Sequence, residues 1–245
     1  MKAAFPLGCF MSEVEFDETD RRRDGAFFGR RKGYALRSHQ LNLMQTLLPV
    51  ILVDDAKARI SPALLFGDQK QEIHIEIGFG GGEHLIARAM QNPDIGYIGC
   101  EAYVNGVAKL LNQIDQLKIK NIRIHPGDAL EICKILPAGS IHRLYILYPD
   151  PWPKVRQRKR RIISDDNLKV FEKILKTGAE LRFATDIDDY SAWTLSHIAR
   201  SIGLQWNPSS SSDWIEPWQD WTRTRYEAKA IREGRSPAYF RFLRR

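Results

Sequence analysis

The chain has 245 residues, 43% of them hydrophobic and 27% charged, with a formal net charge of +7. That length allows one large domain or one domain with an appendage, and that balance excludes disordered, collagen-like and disulfide-scaffold chains. The longest apolar stretch, Leu47 to Val53, is interrupted by Pro49 and falls far short of the ~18–20 residues of a spanning helix, so no membrane association is expected.

The positive charge is concentrated. Residues 154–161 (KVRQRKRR) hold six basic side chains and no acidic one, and residues 222–245 hold eight basic against two acidic. Each segment carries +6, which leaves the rest of the chain acidic. An acidic body with two basic patches suits a polyanionic partner. Three cysteines, Cys9, Cys100 and Cys133, are too few and too far apart for a disulfide framework or a CxxC metal site. A reducing, cytoplasmic setting without a metal follows. The weakly apolar residues 3–11 lack a cleavage pattern and run into acidic residues 13–20, unlike a signal peptide.

In chain order, residues 1–36 are charged, with arginine-rich runs at 21–23 and 30–32, and show no sustained period. They read as a mobile arm ahead of a single domain over 37–245. Leucines recur at helical spacing over 40–48, and 49–67 is ambiguous. From 71 onward, short apolar runs alternate with amphipathic stretches. Strands are predicted at 72–77, 95–101, 121–125, 142–148 and 180–185, with helices at about 83–91, 104–117, 165–176 and 188–202. The serine run 209–212 reads as a loop and 238–243 as a last strand. This alternation defines an α/β protein with a largely parallel sheet. Such sheets bind ligands beyond the carboxyl ends of their strands, which directs attention to residues 76–78, 101, 128, 149–150 and 186.

Glu76-Ile77-Gly78-Phe79-Gly80-Gly81-Gly82 follows a strand and opens a helix, the setting in which glycines let a ligand approach the backbone. The dinucleotide fingerprint G-x-G-x-x-G would need glycine at 83, where Glu83 stands and would repel a pyrophosphate. Glu76 instead suits an amino group or a sulfonium. Glu101, closing the second strand, is placed to accept hydrogen bonds from a ribose diol, and Asp128, in Pro126-Gly127-Asp128-Ala129, to accept one from an exocyclic adenine amine. Three acids around a glycine loop, with no phosphate-binding lysine, describe a neutral or cationic adenosine derivative. Together they resemble class I S-adenosylmethionine-dependent methyltransferases over roughly residues 71–203.

The most specific motif is Pro149-Asp150-Pro151-Trp152-Pro153-Lys154, whose prolines stiffen the loop that presents Asp150. With the arginine-rich run that follows it, Ala184-Thr185-Asp186, and Thr224-Arg225-Tyr226-Glu227, it resembles the tRNA (guanine-N7-)-methyltransferase family. The likeness runs in order over about residues 71–243. It implies a Rossmann-like class I methyltransferase fold with a mostly parallel seven-stranded sheet and helices on both faces. It also implies methyl transfer from S-adenosylmethionine to the variable-loop guanosine at tRNA position 46. The donor would be held by Glu76, Gly78, Gly80, Gly82, Glu101, Asp128, Ala129 and Asp150, with Asp150 also catalytic. Lys154, Asp186, Thr224, Arg225, Tyr226 and Glu227 would bind the substrate, and Arg156, Gln157, Arg158, Lys159, Arg160 and Arg161 would contact the RNA. Pro153 stands where the family often has histidine, which argues against a required base there. A monomer or homodimer is expected, with no obligatory protein partner. A nicotinamide-dependent oxidoreductase is disfavoured by Glu83, and a noncatalytic RNA-binding protein by the acid-and-glycine site.

Overall fold

Where apolar runs are bounded by turn residues the chain forms strands, and amphipathic stretches between them form helices, in a computed structural model that describes Gly29, residues 31–67, Lys70 and residues 72–245. Helices α1 (Ser38–Thr46), α2 (Leu48–Ile51) and α3 (Asp55–Ile60) precede β1 (Glu72–Ile77), α4 (Glu83–Gln91), β2 (Ile95–Cys100), α5 (Val104–Leu117) and β3 (Ile122–His125). Then come α6 (Ala129–Ile135), β4 (Ile141–Leu147), α7 (Asp165–Ile174), β5 (Leu175–Thr185), α8 (Asp188–Arg200), β6 (Leu204–Gln205), α9 (Ser212–Ile215), α10 (Arg225–Arg232) and β7 (Ala238–Arg244).

The strands form one sheet in the order β3-β2-β1-β4-β5-β7-β6. Strands β1 to β5 are parallel, and β7 returns antiparallel against β5 and β6. Order reverses between β1 and β4, so the crevice beyond their carboxyl ends is the topological switch point, where ligands of open α/β sheets bind. The expected seven-stranded, mostly parallel sheet is thus observed.

Both faces are covered. Ile73, Ile75, Ile98, Leu144 and Phe183 pack under α3, α6, α7 and α8 through Ala58, Ile132, Phe171 and Tyr190. Tyr97, Ile122 and Ile124 pack under α1, α2, α4 and α5 through Leu43, Ile51, Leu85 and Leu110. Each fully buried aliphatic or phenylalanine side chain contributes about 1.5–3 kcal/mol, so these layers hold the strand ends rigidly. Beside β4 and β5 the second face is covered differently, by an aromatic cluster of Tyr145, Leu147 and Tyr239 with Trp218 and Trp221. Asp220 pins that segment down through ion pairs with Arg88 at 3.0 Å and Arg182 at 2.5 Å. His74, buried against these arginines, is held neutral: desolvation first, then the positive charge of Arg143 and Arg88, pushes its pKa down to about 2.

Several boundaries differ from expectation. The helix expected to 176 ends at Ile174, because Leu175 already pairs with Ile141 and begins β5. Ser212, expected in a loop, opens the single turn α9. Of the arm assigned to residues 1–36, residues 31–34 are anchored. Val104 donates to the Arg31 carbonyl at 2.9 Å, and the Asn105 side chain accepts from Gly33 N at 2.8 Å and donates to the Tyr34 carbonyl at 2.7 Å. Residues 1–28 and Arg30 lie outside the described residues.

Candidate active site

The glycine loop is built by conformations that only glycine adopts without strain. Gly78, Gly80 and Gly82 have φ of 72°, 56° and 80°. The Gly80 amide donates to Glu101 Oε2 at 2.7 Å, which ties the loop to the end of β2. Glu101 Oε1 accepts from Tyr103 N at 2.9 Å. Gly106, in the first turn of α5, was not foreseen as a site residue, yet a Cβ there would lie 2.4 Å from the Gly80 carbonyl oxygen. Its absence of a side chain lets the helix support the loop from below. The signal in sequence is only a glycine inside a helical pattern, which is a weak one.

Glu76 is buried on β1, one carboxylate oxygen 2.7 Å from His84 Nδ1. Asp128 caps α6, its Oδ1 accepting from Leu130 N at 2.9 Å, and the adjacent Ala129 is buried. Burial raises the Asp128 carboxyl above the usual range despite that bond. Burial likewise raises Glu101 against the pull of its backbone donors, and the charge of Asp150 adds to the effect. Asp150 stands past the end of β4 and is exposed, and partial desolvation of its carboxyl raises it too.

These three acids share an electrostatic property. Glu101, Asp128 and Asp150 have no ion pair with an arginine, lysine or histidine among the described residues; Glu101 and Asp128 accept from backbone amides. Acids elsewhere are matched with cations. The hydrogen bond from Arg161 holds Asp189 below the ordinary range, that from His197 does so for Asp165, and Lys109 holds Glu83 there against the opposing effect of burial. Carboxylates left without cations at the ends of adjacent strands create a negative field in the crevice.

The loop carrying Asp150 is twisted at both ends. Tyr148 and Trp152 have φ of 51° and 42°, in the left-handed region that side-chain-bearing residues rarely occupy. The basic run that follows forms a 3-10 turn, Val155–Arg160, preceded by the exposed Lys154. Its arginines divide. Arg156 and Lys159 are exposed and Gln157 is half-buried. Arg158 pairs with Asp189 at 2.7 Å, and the Arg160 guanidinium lies 4.9 Å from the Trp152 ring centroid. Arg161 corrects the expectation of an RNA contact: its side chain is fully buried, with Nε donating to the Pro151 carbonyl at 2.8 Å.

The C-terminal motif divides in the same way. Thr224 is buried and caps α10 by accepting from Glu227 N at 3.2 Å. Glu227 is buried too, receiving Trp221 Nε1 at 2.9 Å on one oxygen and the Tyr239 hydroxyl on the other. Both oxygens are therefore engaged inside the protein. Arg225 and Tyr226 point to the glycine loop, where a Cβ on Gly80 would meet the Tyr226 ring at 3.1 Å. Asp186, past β5, is half-buried and pairs with Arg235. The structure thus brings Gly80, Glu101, Asp150, Arg225 and Tyr226 together, while Thr224, Glu227 and Arg161 are buried.

A parallel sheet with a glycine loop after β1 and unpaired acids after β2, β3 and β4 has the architecture of class I methyltransferases. Among solved structures, the 16S rRNA methyltransferase KamB superposes with a TM-score of 0.54 at 16% identity, over 72% of this chain and 90% of that one. A family model described as "Putative methyltransferase" matches residues 70–239. A tRNA (guanine-N(7)-)-methyltransferase of Nitrobacter hamburgensis is 52% identical over 90% of this chain and 87% of its own length. The protein of the same name from Bradyrhizobium diazoefficiens is 48% identical over 96% of this chain and its entire length. The chain belongs to the tRNA (guanine-N(7)-)-methyltransferase family.

Proposed function

We propose that this protein transfers a methyl group from S-adenosylmethionine to N7 of a guanosine in tRNA, at position 46 of the variable loop. The observation that carries the reading is the set of strand-end carboxylates Glu101, Asp128 and Asp150, which have no ion pair among the described residues, beside the glycine loop that Glu101 ties down. Such a pocket repels phosphate and favours a cationic adenosine compound. The residues fit this group: Gly78 has open space beside it in the loop, Glu101 retains lone pairs beyond its two backbone bonds for a ribose diol, and the second oxygen of Asp128 can receive an amine. Glu76, braced by His84, stands on β1 two residues before the first glycine of the loop and suits an ammonium group.

When bound, S-adenosylmethionine supplies an electrophilic methyl group. Guanine N7 presents a lone pair, so no base is needed and the protein's task is to align N7 and to stabilise positive charge on the ring. Asp150 is suited to both, as an acceptor for the guanine edge and as a negative charge beside it. Arg225 and Tyr226 border the same crevice and are suited to holding the base, with Lys154 and Asp186 at its rim. Arg156 and Lys159 extend a basic surface from the Asp150 loop, which supports tRNA as the partner.

Incubation of the protein with tRNA and S-adenosylmethionine, followed by nucleoside mass spectrometry, tests the reading. N7-methylguanosine is the expected product, and its absence with an active, donor-binding preparation would overturn the assignment. Calorimetric titration with S-adenosylhomocysteine and with NAD separates it from an oxidoreductase, since only the former is expected to bind.

A further inference from the structure

The arginine run contains one member that does not belong to the surface. The Arg161 side chain has no exposed area. Its guanidinium lies between the Tyr190 ring, 4.7 Å from the centroid, and the Trp193 ring at 5.1 Å. Nη2 forms an ion pair with Asp189, and Nε donates to the Pro151 carbonyl at 2.8 Å. Pro151 directly follows Asp150. Burying a guanidinium is costly unless its donors are matched, and here they meet the Asp189 carboxylate, the Asp189 carbonyl at 3.5 Å and one carbonyl of the loop that carries Asp150.

That loop needs an external tether. Three prolines, at 149, 151 and 153, remove amide donors that could have tied it down internally, and Tyr148 and Trp152 hold unfavourable left-handed conformations at its ends. Backbone of this kind persists only where the surroundings over-determine it. The donor Nε is directional and the two rings fix the guanidinium plane, so the Pro151 carbonyl has one preferred position.

We propose that Arg161 is a positioning residue that sets Asp150 through the Pro151 carbonyl and makes no contact with RNA, an inference that rests on the methyl-transfer reading above. Asp189 joins this buried strut to the surface of the same run, because its other oxygen receives the half-exposed Arg158.

The test uses Arg161→Gln and Arg161→Lys in the full chain, with S-adenosylhomocysteine titration giving donor affinity and the folded fraction. Misplacing a reacting group by about 1 Å costs about 10²-fold, so kcat per folded molecule is expected to fall by about that factor in Arg161→Gln. Donor affinity, tRNA affinity and its salt slope are expected to stay as in the wild type. Arg161→Lys keeps the charge but loses the planar two-sided donor, and is expected to lose activity as well. Flattening of the salt slope by about 0.7–0.9, the signature of a lost phosphate contact, would overturn the proposal. A fall in melting temperature with kcat per folded molecule intact would overturn it as well, by leaving Arg161 a purely structural role. Hydrogen exchange of the 148–154 segment reads the tether without any reaction: faster exchange is expected in Arg161→Gln, and unchanged exchange would refute the strut. Wild-type protein that makes no N7-methylguanosine would instead refute the methyl-transfer reading, whatever the exchange result.

Discussion

The division within the arginine run makes the salt dependence of tRNA binding predictable residue by residue. Six basic side chains occupy 154–161, but Arg161 is buried, Arg158 is matched with Asp189 and Arg160 lies over Trp152. Lys154, Arg156 and Lys159 are the exposed ones. Lys154 is proposed to bind the substrate, so Arg156 and Lys159 are the cleanest probes of phosphate contact. Each phosphate neutralised contributes about 0.7–0.9 to the slope of log affinity against log salt, so the double variant Arg156→Gln/Lys159→Gln should flatten it by about 1.4–1.8. Over a fourfold rise in salt the wild type would then lose roughly 7- to 12-fold more affinity than the variant. Fluorescence anisotropy with labelled tRNA across a KCl series measures this, and S-adenosylhomocysteine affinity should not change. An unaltered slope would mean that the 3-10 turn is a solvated face, and would move the RNA surface to the C-terminal segment.

Three further outcomes test the crevice itself. Glu101→Ala should weaken donor binding about 10- to 100-fold by calorimetry, since a hydrogen bond to a charged group is worth about 1.5–3 kcal/mol; unchanged affinity in a folded variant would sink the ribose assignment. Because burial raises the Glu101 pKa, wild-type donor affinity should be full at neutral pH and be lost as pH falls through a value above the ordinary carboxylate range, and Glu101→Ala should lack that component. Gly106→Ala should displace Gly80, whose carbonyl would lie 2.4 Å from the new Cβ, and lower donor affinity without touching the donor; normal binding would show that α5 does not set the loop. Asp150→Asn should retain donor binding while losing most of its kcat, and near-normal turnover would reduce the Pro149–Pro153 motif to a structural loop.

The parts legible in sequence were those with strong local periodicity or specific spacing. The predicted 83–91 and 104–117 coincide with α4 and α5 because both have a marked apolar face repeating over several turns. β1 coincides because EIHIEI is bounded by turn residues. The helix Ala129–Ile135 was missed because seven residues give too few turns for a period to show, although Asp128 at its start was noticed for another reason. α10 was missed because its sequence reads as a charged tail, whereas Thr224 with Glu227 three residues later has the spacing of a capping box. That Glu101, Asp128 and Asp150 follow strands was readable from the apolar runs that precede them. Burial was not readable: nothing in KVRQRKRR distinguishes Arg161 from its neighbours, and only the arrival of Asp189, Tyr190 and Trp193 from α8 takes it inside.

That contrast explains why one short segment can serve two tasks that charge alone would merge. A positive residue beside Asp150 would lower the pKa of that acid and cancel the field on which a cationic ligand depends. Arg161 avoids this by directing its guanidinium to Asp189 and offering the loop that carries Asp150 only an N–H for the Pro151 carbonyl, so the loop is held with no ion pair to Asp150. Desolvation accordingly raises Asp150, and no compensating cation contributes to its shift. Three carboxylates thereby stay without an ion pair among the described residues, within a chain of net charge +7. Methylation of N7 creates positive charge on the guanine ring, so the same field that favours a cationic donor also favours the product ring. Within the arginine run, Arg158 and Arg161 are bound to Asp189 and Arg156 and Lys159 are turned to solvent, so that segment can attract the polyanion without pairing with Asp150.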